Sequence, residues 1–286
     1  MNSPLDGLSG EPTRSPQSEE APPIAVDSLV AVAPVEVVPP IPPDPAWNGL
    51  DVLRLVFLTI VALFAGMFAV LLIARWRFYP HTPFGELARN PLVAVGGQAL
   101  AYLLVLGYMY VLVTRERGRP DFLRAIHWNW PAHVGSYVVA GFVLSVALQG
   151  LAHLLPAPKE LPIDNFFRTP AEAWVLGIIS VTLAPVMEEL FFRGFLYPVL
   201  ARGVGVPPAV FLTALSFALL HLAQLGFSWG PVLVIFLVGM VVTMVRAKTD
   251  SVAAGVLIHM AYNGTITAAM FVVTDGFRHL EKLNSQ

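Results

Sequence analysis

Cysteine is absent from all 286 residues. No disulfide framework, thiolate zinc site, cysteine-ligated iron–sulfur cluster or thiol nucleophile can be built from this chain. Charge is scarce too. Asp, Glu, Lys and Arg make up 13% of the residues, about half of the roughly 25% usual in soluble proteins. With 56% hydrophobic residues and a mean hydropathy of +0.68, the composition argues against a soluble domain and for a membrane protein. The charge that is present is unevenly spread. Residues 1–50 hold seven acids, one arginine and 11 of the 25 prolines, a balance of −6 against an overall −2.

Residues 1–48 read as a disordered, acidic, proline-rich tail. The run Pro39-Pro40-Ile41-Pro42-Pro43-Asp44-Pro45 favours extended polyproline conformations over helix or sheet. No basic start is followed by an apolar core, so the segment does not read as a signal peptide. It is either a docking tether or a dispensable flexible end. From Leu50 onward, long apolar runs alternate with short polar breaks. Because a span needs about 20 mainly apolar residues, the candidates are 52–74, 92–113, 134–155, 171–188, 207–225, 230–245 and 251–274. The expectation is an all-α, polytopic transmembrane helix bundle of about seven spans. Residues 49–165 form its N-terminal helices, 166–275 its core and 276–286 a short polar C-terminal tail. The spans 171–188 and 230–245 are short. The segment Pro120–Trp130, rich in aromatic and basic residues, is either an interfacial stretch or an ordinary loop with belt tryptophans.

Lys and Arg in short loops indicate orientation. Arg115, Arg117, Arg119 and Arg124 follow the second span, Arg193 and Arg202 the fourth, and Arg246 and Lys248 the sixth. Seven spans put all three groups on one side, the cytoplasmic one, and the plasma membrane is the expected location. Arg75, Arg77 and Arg89 run against that assignment.

Ionisable groups within spans are costly and are functional candidates by default. Arg54 and Glu172 fall at span edges, within reach of water. Three other elements lie further along, in the C-terminal half. Glu188 and Glu189 end an apolar run, and Glu189 and Arg193, four apart, share a helical face and can pair. Glu188 points about 100° away and lacks a local partner, as a proton-transfer group would. The alternative is three interfacial residues facing water. His221, one turn after Phe217, sits late in a span with no other ionisable group. It is either a packing residue or a catalyst. His259 and Asn263, four apart, present an imidazole and an amide on one face. They suit either oxyanion stabilisation or interhelical hydrogen bonding. Together, acid, imidazole and amide are what water activation at a carbonyl requires. His81, His127, His133, His153 and His279 show no such spacing and read as structural.

Glu188-Glu189-x-x-x-Arg193, Phe217-x-x-x-His221 and His259-x-x-x-Asn263 resemble, complete and in order, the three motifs of the CPBP intramembrane proteases. That family includes type II CAAX prenyl endopeptidases and bacteriocin-processing or immunity proteins. The resemblance covers roughly residues 168–275. It implies a helical cavity near one membrane face, with Glu188 and His221 activating water and His259 and Asn263 binding the oxyanion. Glu189 and Arg193 would support the site, and Phe217 would shape it. The family is often described as metalloproteases. A zinc set of Glu188, His221 and His259 and a metal-free mechanism are both compatible with these residues. The implied partners are membrane lipid and a protein or peptide substrate, lipidated or membrane-anchored, with no nucleic acid. Two other functions compete. One is a catalytically silent binding or immunity protein. The other is a proton-coupled transporter, disfavoured because the N-terminal half has no matching polar set.

Overall fold

A computed structural model describes residues 44–156, 158 and 161–285. Residues 1–43, most of the expected tail, lie outside the described residues. Every regular element among the described residues is helical. The seven expected spans are all present as helices. They are α1 (Gly49–Ile73), α2 (Pro91–Val111), α3 (Val134–Ala152), a bent run of α4 (Pro170–Val181), α5 (Leu183–Glu189) and α6 (Tyr197–Val204), then α7 (Val206–Leu220), α8 (Trp229–Thr249) and α9 (Val252–Val273). Six of these runs are long and apolar enough to cross a membrane. The exception is α7, whose 15 residues reach only about 22 Å at 1.5 Å per residue. The short 171–188 stretch is the first half of a continuous 35-residue run, Pro170–Val204. The sixth span extends past its expected end at 245, because Arg246 is buried by its own partners. Its Nη1 reaches Asp250 Oδ1 at 2.5 Å and its Nε donates to the Arg193 carbonyl at 3.3 Å.

The first two helices form a hairpin. Asn48 caps α1 through the Leu50 and Asp51 amides, while Asp51 returns a bond to the Asn48 amide. The buried Asp51 carboxylate also accepts from Arg117 beyond α2 and lies 3.6 Å from Arg54. That contact holds the Arg117 guanidinium above its ordinary range, chiefly through the Asp51 hydrogen bond. Midway along, Gly66 and Gly97 bring the two backbones together. A Cβ on Gly66 would lie 2.5 Å from the Gly97 carbonyl oxygen, and one on Gly97 2.8 Å from Met67 Cα. Small residues permit this approach where helices associate through packing. The opposite face of α1 is bare: Phe57, Phe64 and Phe68 are each more than 60% exposed. A water-soluble protein would rarely leave such a stripe, whereas a lipid-facing helix does.

The other main packing pairs are α3 with α9, and α8 with α7 and α9. A cluster including Leu55, Met109, Ile126, Met187, Phe195 and Val252 ties α1 and α2 to the bent run and to α9. The Pro120–Trp130 segment enters this core through Ile126, which is fully buried. Two ends are better packed than their composition suggests. Trp47, inside the stretch read as tail, is 1% exposed and stacks on Phe195 with ring centroids 4.7 Å apart. Phe277, in the polar C-terminal stretch, is buried edge-on against Trp174 and Phe271.

The bend in Pro170–Val204 positions the candidate residues. Thr169 and Glu172 cap α4 reciprocally, with Thr169 N donating to Glu172 Oε2 at 2.9 Å and Glu172 N to Thr169 Oγ1 at 3.3 Å. Glu172, an expected edge residue, is therefore a capping-box acid. The helix breaks at Thr182 (φ −116°, ψ −78°), just before Pro185, which has no N–H to offer the Val181 carbonyl. After α5 the backbone winds as a π-helix over Leu190–Leu196, and the Tyr197 amide donates to the Phe192 carbonyl five residues back. Pro198 follows and supplies no donor. The Arg193 carbonyl thus loses its partners at both four and five residues' spacing, and Arg246 Nε takes their place.

Candidate active site

The three motifs meet around one buried ion pair. Glu189 is fully buried, and its Oε1 accepts from Arg193 Nη1 at 2.9 Å, as their spacing predicts. The same oxygen is 2.9 Å from His259 Nδ1 on α9. Arg193, 1% exposed, spends its other donors on α8: Nε on Thr243 Oγ1 at 3.0 Å and Nη2 on the Gly239 carbonyl at 3.1 Å. Its guanidinium also lies over the Phe217 ring, 4.7 Å from the centroid, in cation–π range. A buried pair of this kind is tolerable only with further hydrogen bonds, and each of the three Arg193 nitrogens makes one. Glu189 Oε2 has no hydrogen-bond partner among the described residues. It faces Gly255, where a Cβ would stand 2.8 Å from it, so α9 can approach the carboxylate only with glycine there.

His259 is oriented by this arrangement. A carboxylate can only accept, so Nδ1 carries the proton and Nε2 faces the other way. There Glu188 Oε2 lies 3.7 Å away, too far for a direct hydrogen bond and suited to a bridging oxygen. The Glu188 side chain is 16% exposed, against 0% for Glu189 and 5% for His259. The two adjacent acids therefore have different surroundings: Glu189 is locked and Glu188 is accessible. His259 stands seven residues into α9, about 10 Å from its first residue at 1.5 Å per residue.

His221 follows the last residue of α7. Its Nδ1 lies 2.8 Å from the Phe217 carbonyl; this acceptor again makes Nδ1 the donor and leaves Nε2 free. Phe217, 1% exposed, packs on both imidazoles, with its centroid 4.7 Å from that of His221 and 5.7 Å from that of His259. Asn263 points elsewhere with one of its two amide hydrogens: Nδ2 donates to the Ser180 carbonyl at 2.7 Å. Ser180 is in the last turn of α4, where carbonyls lack intrahelical donors, so Asn263 fastens α9 to the helix break. The structure thus assembles Glu188, Glu189, Arg193, Phe217, His221 and His259. It sets Asn263 one turn from His259, on a contact of its own.

Among the described residues no three His, Asp or Glu side chains are grouped to hold one ion. Glu189 on His259 Nδ1 leaves Nε2 toward Glu188, the orientation that a carboxylate imposes on a metal-ligating imidazole as well as on a hydrogen-bonding one. Sequence reasoning missed Thr243, Gly239 and Gly255, whose neutral or absent side chains carry no signal. It also missed the Glu189–His259 contact, which spans 70 positions.

Residues 170–265 match the family model described as Rce1-like, type II CAAX prenyl endopeptidase Rce1-like. No curated protein and no solved structure matches the chain. The matched stretch runs from the start of α4 to nearly two-thirds of the way along α9, and all seven candidate residues fall inside it.

Proposed function

Because this integral membrane protein carries an Rce1-like domain at residues 170–265, we propose that it is an intramembrane endopeptidase working through activated water. The observation that carries the reading is the 3.7 Å gap between Glu188 Oε2 and His259 Nε2, beside an Arg193 with a hydrogen bond at each of its three nitrogens. A water placed by Glu188 attacks the substrate carbonyl and gives its proton to that carboxylate. When Nε2 carries a proton, His259 hydrogen-bonds the tetrahedral oxyanion through it and keeps that proton throughout. The second Asn263 amide hydrogen is a further oxyanion donor. The C–N bond breaks, Glu188 returns the proton to the leaving amine, and the products are a carboxylic acid and an amine. His221, through its free Nε2, shares the handling of the water proton. Phe217 packs on both imidazoles. No step is assigned to a metal.

A peptide ending in a prenylated cysteine and three further residues is the substrate class that the family match makes the first to assay. His221→Ala is expected to lower cleavage of a fluorogenic peptide of this kind by about 100-fold or more, the range of general acid–base catalysis. Full activity in proteoliposomes would refute the assignment.

We place the site toward the cytoplasmic face of the plasma membrane. Arg117 at Asp51, Arg202 at the residue 45–47 carbonyls and Arg246 at Asp250 gather at one end of the helices. Arg75 and Arg77 follow the other end of α1. Reporters fused after residues 125 and 205 are expected on one side of the membrane and a reporter after residue 90 on the other. A split between the first two would overturn the orientation.

A further inference from the structure

We infer that residues Asp44–Asn48 form a strap that positions the catalytic segment from outside it; this rests on the reading of Glu188 and Glu189 given above. The strap lies against the π-helix that separates those acids from α6. The Trp47 ring is stacked on Phe195 at 27°, and its Nε1 donates to the Phe195 carbonyl at 3.1 Å. Arg202 on α6 clamps the strap from the other side, with Nη1 on the Pro45 carbonyl at 2.7 Å and Nη2 on the Trp47 carbonyl at 2.9 Å. Both hydrogen bonds fall on backbone atoms, so they read the path of the strap.

A second set of contacts closes the loop. His127 lies between two carboxylates, Asp250 Oδ2 at 2.6 Å from Nδ1 and Asp44 Oδ2 at 3.0 Å from Nε2. Asp250 in turn binds Arg246, whose Nε supplies the donor that the Arg193 carbonyl lacks. A chain of contacts therefore runs from Asp44 through His127, Asp250 and Arg246 to the Arg193 backbone. The other end of the strap reaches Phe195, two residues on.

The physical need for such a strap follows from the π-helix. Its wide turns and Pro198 leave the Arg193 carbonyl without a backbone donor. That segment sets the spacing between Glu189 and Arg193 and hence the placement of Glu188 against His259. External donors hold the register, and Trp47 and Arg246 are those donors. Trp47 and Arg202 are positioning residues; neither touches the reacting atoms.

Trp47→Ala and Arg202→Gln are expected to lower kcat for the prenylated peptide about 10- to 100-fold, the effect of a small misplacement. KM should stay nearly constant. Trp47→Phe, which keeps an aromatic ring for the Phe195 stack and removes the N–H, should lose less, and Arg202→Lys should fall between wild type and Arg202→Gln. A second readout does not depend on catalysis. The chain has no cysteine, so Leu196→Cys puts a single thiol on the π-helix. Its labelling by a membrane-permeant maleimide should rise severalfold when Arg202→Gln or Trp47→Phe is added, and should not change with Glu188→Gln. If Glu188→Gln proves active, the catalytic reading fails and the labelling alone decides the strap. Unchanged labelling in both strap variants, or unchanged kcat in them where Glu188→Gln is inactive, would overturn the strap.

Discussion

Glu188→Gln is expected to abolish cleavage and leave the helices folded. The substitution is nearly isosteric, and the side chain it changes is the accessible member of the acid pair. Glu188 has no hydrogen-bonded side-chain partner whose loss would disturb packing; its closest ionic neighbour is His259 at 3.7 Å. The amide cannot take a proton from water, so the loss is that of a general base, about 10²- to 10⁴-fold. Cleavage of the prenylated fluorogenic peptide in proteoliposomes measures the effect. Thermal unfolding in detergent should show a transition matching the wild type. An active Glu188→Gln protein would remove the carboxylate from the mechanism. An inactive but unfolded one would make Glu188 structural.

Arg193→Met is expected to have the opposite profile, with stability lost first. Removing the guanidinium leaves the Glu189 carboxylate buried with His259 as its sole partner in the site; Thr243 keeps its own bond to the Gly239 carbonyl. Breaking a buried pair from one side costs about 3–5 kcal/mol, a large part of a typical 5–15 kcal/mol total. The double variant Glu189→Met with Arg193→Met removes both charges and should recover much of that loss, because the desolvation cost disappears with them. Activity should not return, since His259 then has no acceptor at Nδ1 and no imposed orientation. The paired measurements are the unfolding midpoint in detergent and kcat in liposomes. A stable Arg193→Met single variant would contradict the burial argument, and an active double variant would contradict the role given to Glu189.

The two expected outcomes differ because neighbouring acids occupy different environments, and only part of that was legible in the chain. The Glu189–Arg193 pair follows from four-residue spacing, and it survives the local change to a π-helix because both residues still meet across one turn. The second partner of Glu189 does not follow from any spacing. His259 arrives from a separate helix, and the approach depends on Gly255, which looks in the sequence like one more small residue in an apolar run. The partner of Asn263 was equally hidden: Ser180 accepts because the helix breaks at Thr182, a local event that Pro185 hints at without saying which carbonyl is freed. Trp47 was misleading in a different way. Its proline-rich surroundings read as tail, and local composition has no means of registering that a distant π-helix provides a stacking partner and a carbonyl acceptor.

By itself, then, the chain determined that this protein is an α-helical membrane protein, because apolar runs of crossing length allow the backbone no other way to satisfy its hydrogen bonds in lipid. It also determined which polar residues stand in those runs, since each is conspicuous against an apolar background. Tertiary structure alone decided which of them touch. Contacts such as Glu189 with His259, Asn263 with Ser180 and Trp47 with Phe195 join positions 70, 83 and 148 apart. Helical periodicity carries information over a few turns, and what lies beyond that is set by how closely two helices can pack.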